Sequence, residues 1–243
     1  MSLKLILTIF AISVYFTIFS SLYFHGNLFA VEAQQSTISD HEFNGYLEQM
    51  IGHLDASVEN VQNNNSVLAV AHALHPIEEI VDVINSRLIQ TNETLTKDFS
   101  NKLNKYVQTV KSGNLNIITI EKRDLEKLLN DALDQSISLE KRNNRDYILN
   151  VTAELITIAS EEYTESMSQG RIINLLEYQD GQQFFNRAIT LLNKSQTYLS
   201  DNDKNYLTGI KELKKGMDAK IDPSEIDMNV KDMLCEIKKG FYC

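Results

Sequence analysis

Glu161-Glu162-Tyr163-Thr164-Glu165-Ser166-Met167-Ser168-Gln169-Gly170-Arg171-Ile172-Ile173-Asn174-Leu175-Leu176-Glu177-Tyr178-Gln179-Asp180 reads as two helices joined by a glycine turn, each with an acidic residue beside a tyrosine. Folding those helices back on each other brings Glu162, Glu177 and Tyr178 toward one locus. Carboxylate and phenolate oxygens hold hard or borderline cations such as iron. A second cluster, His72-Ala73-Leu74-His75-Pro76-Ile77-Glu78-Glu79, offers nitrogen.

Helix-period segments extend outward from this hairpin in both directions. Upstream, 42–60 carries Phe43, Leu47, Met50, Ile51, Leu54 and Val58 on one face, and further helices are expected over 66–90 and 94–111. Asn92 or Thr94 can cap the 94–111 helix, and Gly113 ends it. The run 114–119 reads as a linker, with the β-branched Ile117-Ile118-Thr119-Ile120 as the one credible strand. A helix over 121–141 has Leu125, Leu128, Leu129, Leu133 and Ile137 on its stripe, broken by Asn143-Asn144. The hairpin helices are expected over 145–168 and 175–194, then one over 203–217. A last helix starts at Pro223 behind Asp222.

With only 9 Gly and 2 Pro among 243 residues, the composition favours long helices over a turn-rich sheet. The expected fold is an all-α antiparallel bundle with a hinge near 113–120 between two sub-bundles, preceded by a hydrophobic N-terminal export or anchor helix. The net charge of −10 argues against a nucleic-acid partner and suits cations.

Residues 5–24 are apolar apart from Ser, Thr and Tyr, come after Lys4 and precede Glu32, Asp40 and Glu42. This orientation places the remainder of the chain outside the cytoplasm. Residues 1–33 are therefore read as a signal peptide or membrane anchor, the span being roughly as long as a bilayer crossing requires, and 34–243 as an extracytoplasmic domain, secreted or anchored through 5–24. In an oxidising compartment Cys235 and Cys243 are expected to form a disulfide. Sequons begin at Asn64, Asn92, Asn150 and Asn193.

On a continuous helix His72, His75 and Glu79 fall at i, i+3 and i+7, one side of the cylinder. That is a metal half-site of imidazole and carboxylate, suited to iron, zinc or copper. The alternative is that Pro76 starts a new helix, with Glu78 and Glu79 at its N-terminus and the histidines as partly buried polar residues.

The pattern Ala159-x-x-Glu162-Tyr163-x-Glu165-Ser166-x-x-x-Gly170-x-Ile172-x-Asn174-x-x-Glu177-Tyr178-x-Asp180, with Phe184 and Ala188 after it, resembles the extracytoplasmic domain of the high-affinity iron permease family over about 155–192. His75-Pro76-Ile77-Glu78 is similar to the short HxxE element of imelysin-like proteins. The permease resemblance implies iron as the cargo. With no Arg-Glu-x-x-Glu transport motif on a membrane helix, the role it implies is capture, storage, delivery or sensing.

The leading reading is thus an exported metal-binding domain that captures a cation and delivers it to a membrane transporter or another envelope protein. Iron is favoured, with copper or zinc as alternatives, and His72, His75, Glu79, Glu162 and Glu177 are the candidate ligands. The alternative is a non-catalytic envelope interaction or sensor module without metal. Nucleophile motifs such as GxSxG and HExxH are missing from the sequence, so catalysis is the least favoured class.

Overall fold

The computed structural model describes residues 38–238. The export or anchor segment and Cys243 lie outside the described residues. Among those described, no helix is long and apolar enough to cross a membrane.

The described part of the chain is helical almost throughout. Helix α1 (Asp40–Gln62) opens with a reciprocal cap, Ser39 accepting from the Glu42 N–H while the Glu42 carboxylate accepts from the Ser39 N–H. Asn65 caps α2 (Ser66–His75), which passes through a π turn (Pro76–Ile80) into α3 (Val81–Thr91). Asn92 caps α4 (Glu93–Lys111), and Asn114 caps α5 (Leu115–Ser136). A short α6 (Leu139–Arg142) leads to α7 (Arg145–Ser166), capped by Asn144. Helices α8 (Leu175–Lys194), α9 (Lys204–Asp218) and α10 (Pro223–Ile237) complete the described chain.

The linker and strand expected from 114 to 120 form the first turns of α5. The helical stripe wins over β propensity there. Ile118 is fully buried in line with Leu125, Leu129 and Ala132, and the Asn114 side chain accepts from the Ile117 N–H. The same helix stops earlier than expected, at Ser136, because Ile137 is extended and Ser138 starts α6. Between α7 and α8 the glycine turn is a β-hairpin, β1 (Met167–Ser168) pairing antiparallel with β2 (Arg171–Ile172). Gln169 and Gly170 both have positive φ, 49° and 71°, the requirement of a tight type I′ turn.

One hydrophobic core runs through the described helices, with Phe43, Leu54, Phe99, Ile156, Phe184 and Met217 among its buried members. Helices α1, α7 and α8 approach closely at glycines. A Cβ on Gly52 would stand 2.9 Å from the Phe184 ring, and one on Gly181 would stand 2.9 Å from the Ala159 carbonyl oxygen. Gly52 adjoins the buried His53 and Gly181 adjoins the buried Asp180, so both close approaches border polar groups inside the core.

A buried three-histidine, one-aspartate centre

Helix α1 contributes His53, α2 contributes His72 and His75, and α8 contributes Asp180, all inside the bundle. Their exposures are 2%, 0%, 7% and 0%. His53 Nδ1 stands 2.7 Å and His72 Nδ1 3.0 Å from Asp180 Oδ1, and His75 Nδ1 stands 3.1 Å from Oδ2. Three imidazoles therefore present the same ring nitrogen to one carboxylate. Each of the four offers a ligand atom within 4.8 Å of the others, the one such group among the described residues.

Neighbours hold the rings in place. His53 meets Phe184 and His75 edge-on, both at 5.1 Å between ring centres. His72 is fixed by a chain of amides. Asn60 Nδ2 donates to the Ala56 carbonyl at 2.9 Å, which settles which end of that amide is nitrogen. The same nitrogen donates to Gln179 Oε1 at 2.8 Å, so Gln179 turns its oxygen inward. That oxygen lies 2.9 Å from His72 Nε2. Nε2 must carry the proton in this contact.

The consequence concerns the other ring nitrogen. A neutral His72 that donates through Nε2 has a lone pair at Nδ1, and this lone pair faces an anionic carboxylate oxygen at 3.0 Å. Two acceptors at that distance repel in a dry interior unless a positive charge lies on or between them. A metal cation supplies that charge and uses both lone pairs; an imidazolium at His72 is the metal-free alternative. Metal-ligating histidines commonly donate their second N–H in this manner. The spacing also fits: donors bonded at about 2.0–2.2 Å to a cation stand roughly 3–4 Å apart, so small side-chain shifts that open the 2.7–3.1 Å contacts to Asp180 and close the wider separations, none above 4.8 Å, admit an ion.

Electrostatics agree with an ionised Asp180. Burial opposes its charge, but the three imidazoles around it, His53 foremost, outweigh that and hold its carboxyl well below the ordinary range. For His75, burial also opposes charge, and the hydrogen bond and charge of Asp180, with Glu79 and Glu177, win and raise its pKa.

The structure brings His72 and His75 of the expected ligand set together, and adds His53 and Asp180. Glu79 stands at the edge, its carboxylate oxygens 3.9 Å from His53 Nε2 and 3.8 Å from His75 Nδ1. Burial, only partly offset by His75 and His53, raises its pKa. Glu162 and Glu177 are half-buried and hydrogen-bonded to each other rather than placed among the four. Burial first, then that bond and the nearby charge of Glu177, Asp180 and Glu79, push the Glu162 carboxyl up to about 9. Tyr178 does not join them: its hydroxyl donates to the Met217 carbonyl at 3.1 Å, and Tyr163 donates to the Ile221 carbonyl at 2.6 Å. Tyr178 thus braces the last turn of α9, and Tyr163 the loop between α9 and α10.

Asp180 and His53 are absent from the ligand set expected of the sequence, although the pattern carries a signal for each. Asp180 precedes Phe184 and Ala188 at i, i+4 and i+8, so a carboxylate sits on the buried stripe of α8. His53 is likewise on the core face of α1, between Met50 and Leu54.

No curated protein and no solved structure matches the chain. The resemblance read over about 155–192 extends further, and α7 to α10 lie within it. Residues 138–242 match the family model of the iron permease-associated 4-helix bundle domain, and over this part the chain is similar to that domain.

Proposed function

We propose that this protein binds a divalent metal cation, iron(II) foremost, through His53, His72, His75 and Asp180, and passes it to a membrane transporter outside the cytoplasm. The match to an iron permease-associated domain suggests an iron-transport-related role. The observation that carries the metal reading is the locked tautomer of His72, whose Nδ1 lone pair faces Asp180. Three imidazole nitrogens and one carboxylate oxygen form a borderline donor set, suited to iron(II), zinc or copper rather than to cations that want oxygen alone. Within this reading Asp180 supplies charge, the imidazoles supply the remaining donors, and Gln179 orients His72. Glu162 and Glu177 lie outside the inner set and add negative charge around it. Extracytoplasmic placement and the Cys235–Cys243 bridge belong to the same proposal.

The test is anaerobic titration of the purified full chain with iron(II), zinc(II) and copper(II), followed by metal content and melting temperature. Saturable one-to-one binding is expected, with stabilisation of about 2.7 kcal/mol at a hundredfold excess over Kd. Asp180→Asn is expected to weaken it by about 100-fold or more. A wild-type chain that takes up no metal, and whose melting is indifferent to all three, overturns the proposal in favour of an imidazolium at His72 and a metal-free interaction module.

A further inference from the structure

Three of the four inner residues have side chains no more than 3% exposed, so a cation cannot reach Asp180 directly from water. Glu79 can reach both environments. Its side chain is 51% exposed, yet its two oxygens lie 3.9 Å and 3.8 Å from nitrogens of His53 and His75. Both distances exceed hydrogen-bond length, so the carboxylate is aimed at the centre without being committed to either ring.

The backbone beneath Glu79 is irregular for a reason visible in the sequence. Pro76 has no N–H to return to the preceding turn, and the chain responds with a widened π turn in which the Val81 N–H reaches the Pro76 carbonyl. Such turns concentrate at functional sites. Here the turn comes directly after His75 and carries Glu79, on the water side of the buried centre.

Resting on the metal reading above, we propose that Glu79 is the exchange ligand of this centre. It takes the hydrated cation from solvent, replaces part of its water, and hands it to the imidazoles of His53 and His75 on the way to Asp180; release takes the same path in reverse. A carboxylate suits this task because it binds through one oxygen or two and so changes its share of the coordination sphere gradually. Neighbouring Glu78, exposed on the same turn and outside the inner cluster, provides a matched control for charge alone.

Stopped-flow mixing of the full chain with iron(II), and release from the loaded chain to a chromogenic iron(II) chelator, tests the assignment in wild type, Glu79→Gln and Glu78→Gln. In Glu79→Gln, arrival and release are both expected to slow by about tenfold while Kd shifts by less than about threefold. Glu78→Gln is expected to keep wild-type rates. Unchanged rates in Glu79→Gln overturn the inference. So does faster release with lost affinity, which would make Glu79 an ordinary ligand, and so does equal slowing in Glu78→Gln, which would reduce the effect to attraction by charge. A wild type that binds no iron(II) at all fails the function proposed above instead, and is told apart by the titration.

Discussion

His72 shows how far a single ring can be specified by neighbours that never touch a cation. The Ala56 carbonyl fixes Asn60, Asn60 fixes Gln179, and Gln179 fixes the proton on Nε2. Gln179→Leu removes the acceptor and is expected to weaken metal binding by about 10- to 100-fold. Gln179→Glu retains an oxygen there and is expected to recover most of the affinity; titration of both variants separates ring orientation from general damage. Glu162 makes a prediction of opposite character. Its folded pKa of about 9 lies above the ordinary 4.5, so the fold favours its neutral form. Its contribution to stability is therefore complete below about 4.5 and is lost as pH rises toward 9. Metal-free Glu162→Gln should melt higher than wild type at pH 8, with a flatter melting profile between pH 5 and 9 by circular dichroism. The spacing of His72, His75 and Glu79 was legible because it is local to one helix. The meeting of His53 with Asp180 was not, since 127 positions separate them and only packing brings them together.

At the scale of elements, the centre depends on how closely α1, α7 and α8 approach. Gly181 is next to Asp180, and an added methyl there meets a backbone oxygen at 2.9 Å and Met217 Cε at 3.0 Å. Alanine is the better helix former by about 1 kcal/mol, but overpacking costs about 1–3 kcal/mol. Gly181→Ala is therefore expected to lower stability in denaturant melts, because the carbonyl of Ala159 cannot rotate away. Gly52→Ala meets a side chain instead, the Phe184 ring that packs on His53. It should cost less stability and show itself more in metal affinity. Element boundaries were readable where caps and stripes coincide: α8 begins behind Asn174, and α10 at Pro223 behind Asp222. They are harder to place at 114–120, where the β-branched run 117–120 suggests a strand although Ile118 continues the stripe of Leu125 and Leu129. Periodicity seven residues downstream was the stronger signal there.

Across the whole molecule, the centre joins two parts of different standing. Asp180, Gln179, Glu162 and Glu177 fall within 138–242, the part similar to the iron permease-associated domain, whereas His53, His72, His75 and Glu79 fall before it. Helix α1 reaches across, with Arg187 on α8 paired to Glu48 at 2.5 Å and His53 against Asp180 at 2.7 Å. The acidic hairpin alone thus has a carboxylate without the nitrogen donors, and the histidine segment alone has nitrogens without the buried charge. A double-mutant cycle tests whether the parts form one unit. If they do, His72→Ala and Asp180→Asn each lower metal affinity by about 100-fold or more, and the double variant is little worse than either, because one removed ligand already dismantles the set. Additive losses would mean that the histidines and the acid hold metal at separate places. Calorimetric titration of the four chains with zinc(II), which adds no redox chemistry of its own, reads the coupling directly, and melting curves without metal show whether the variants remain folded.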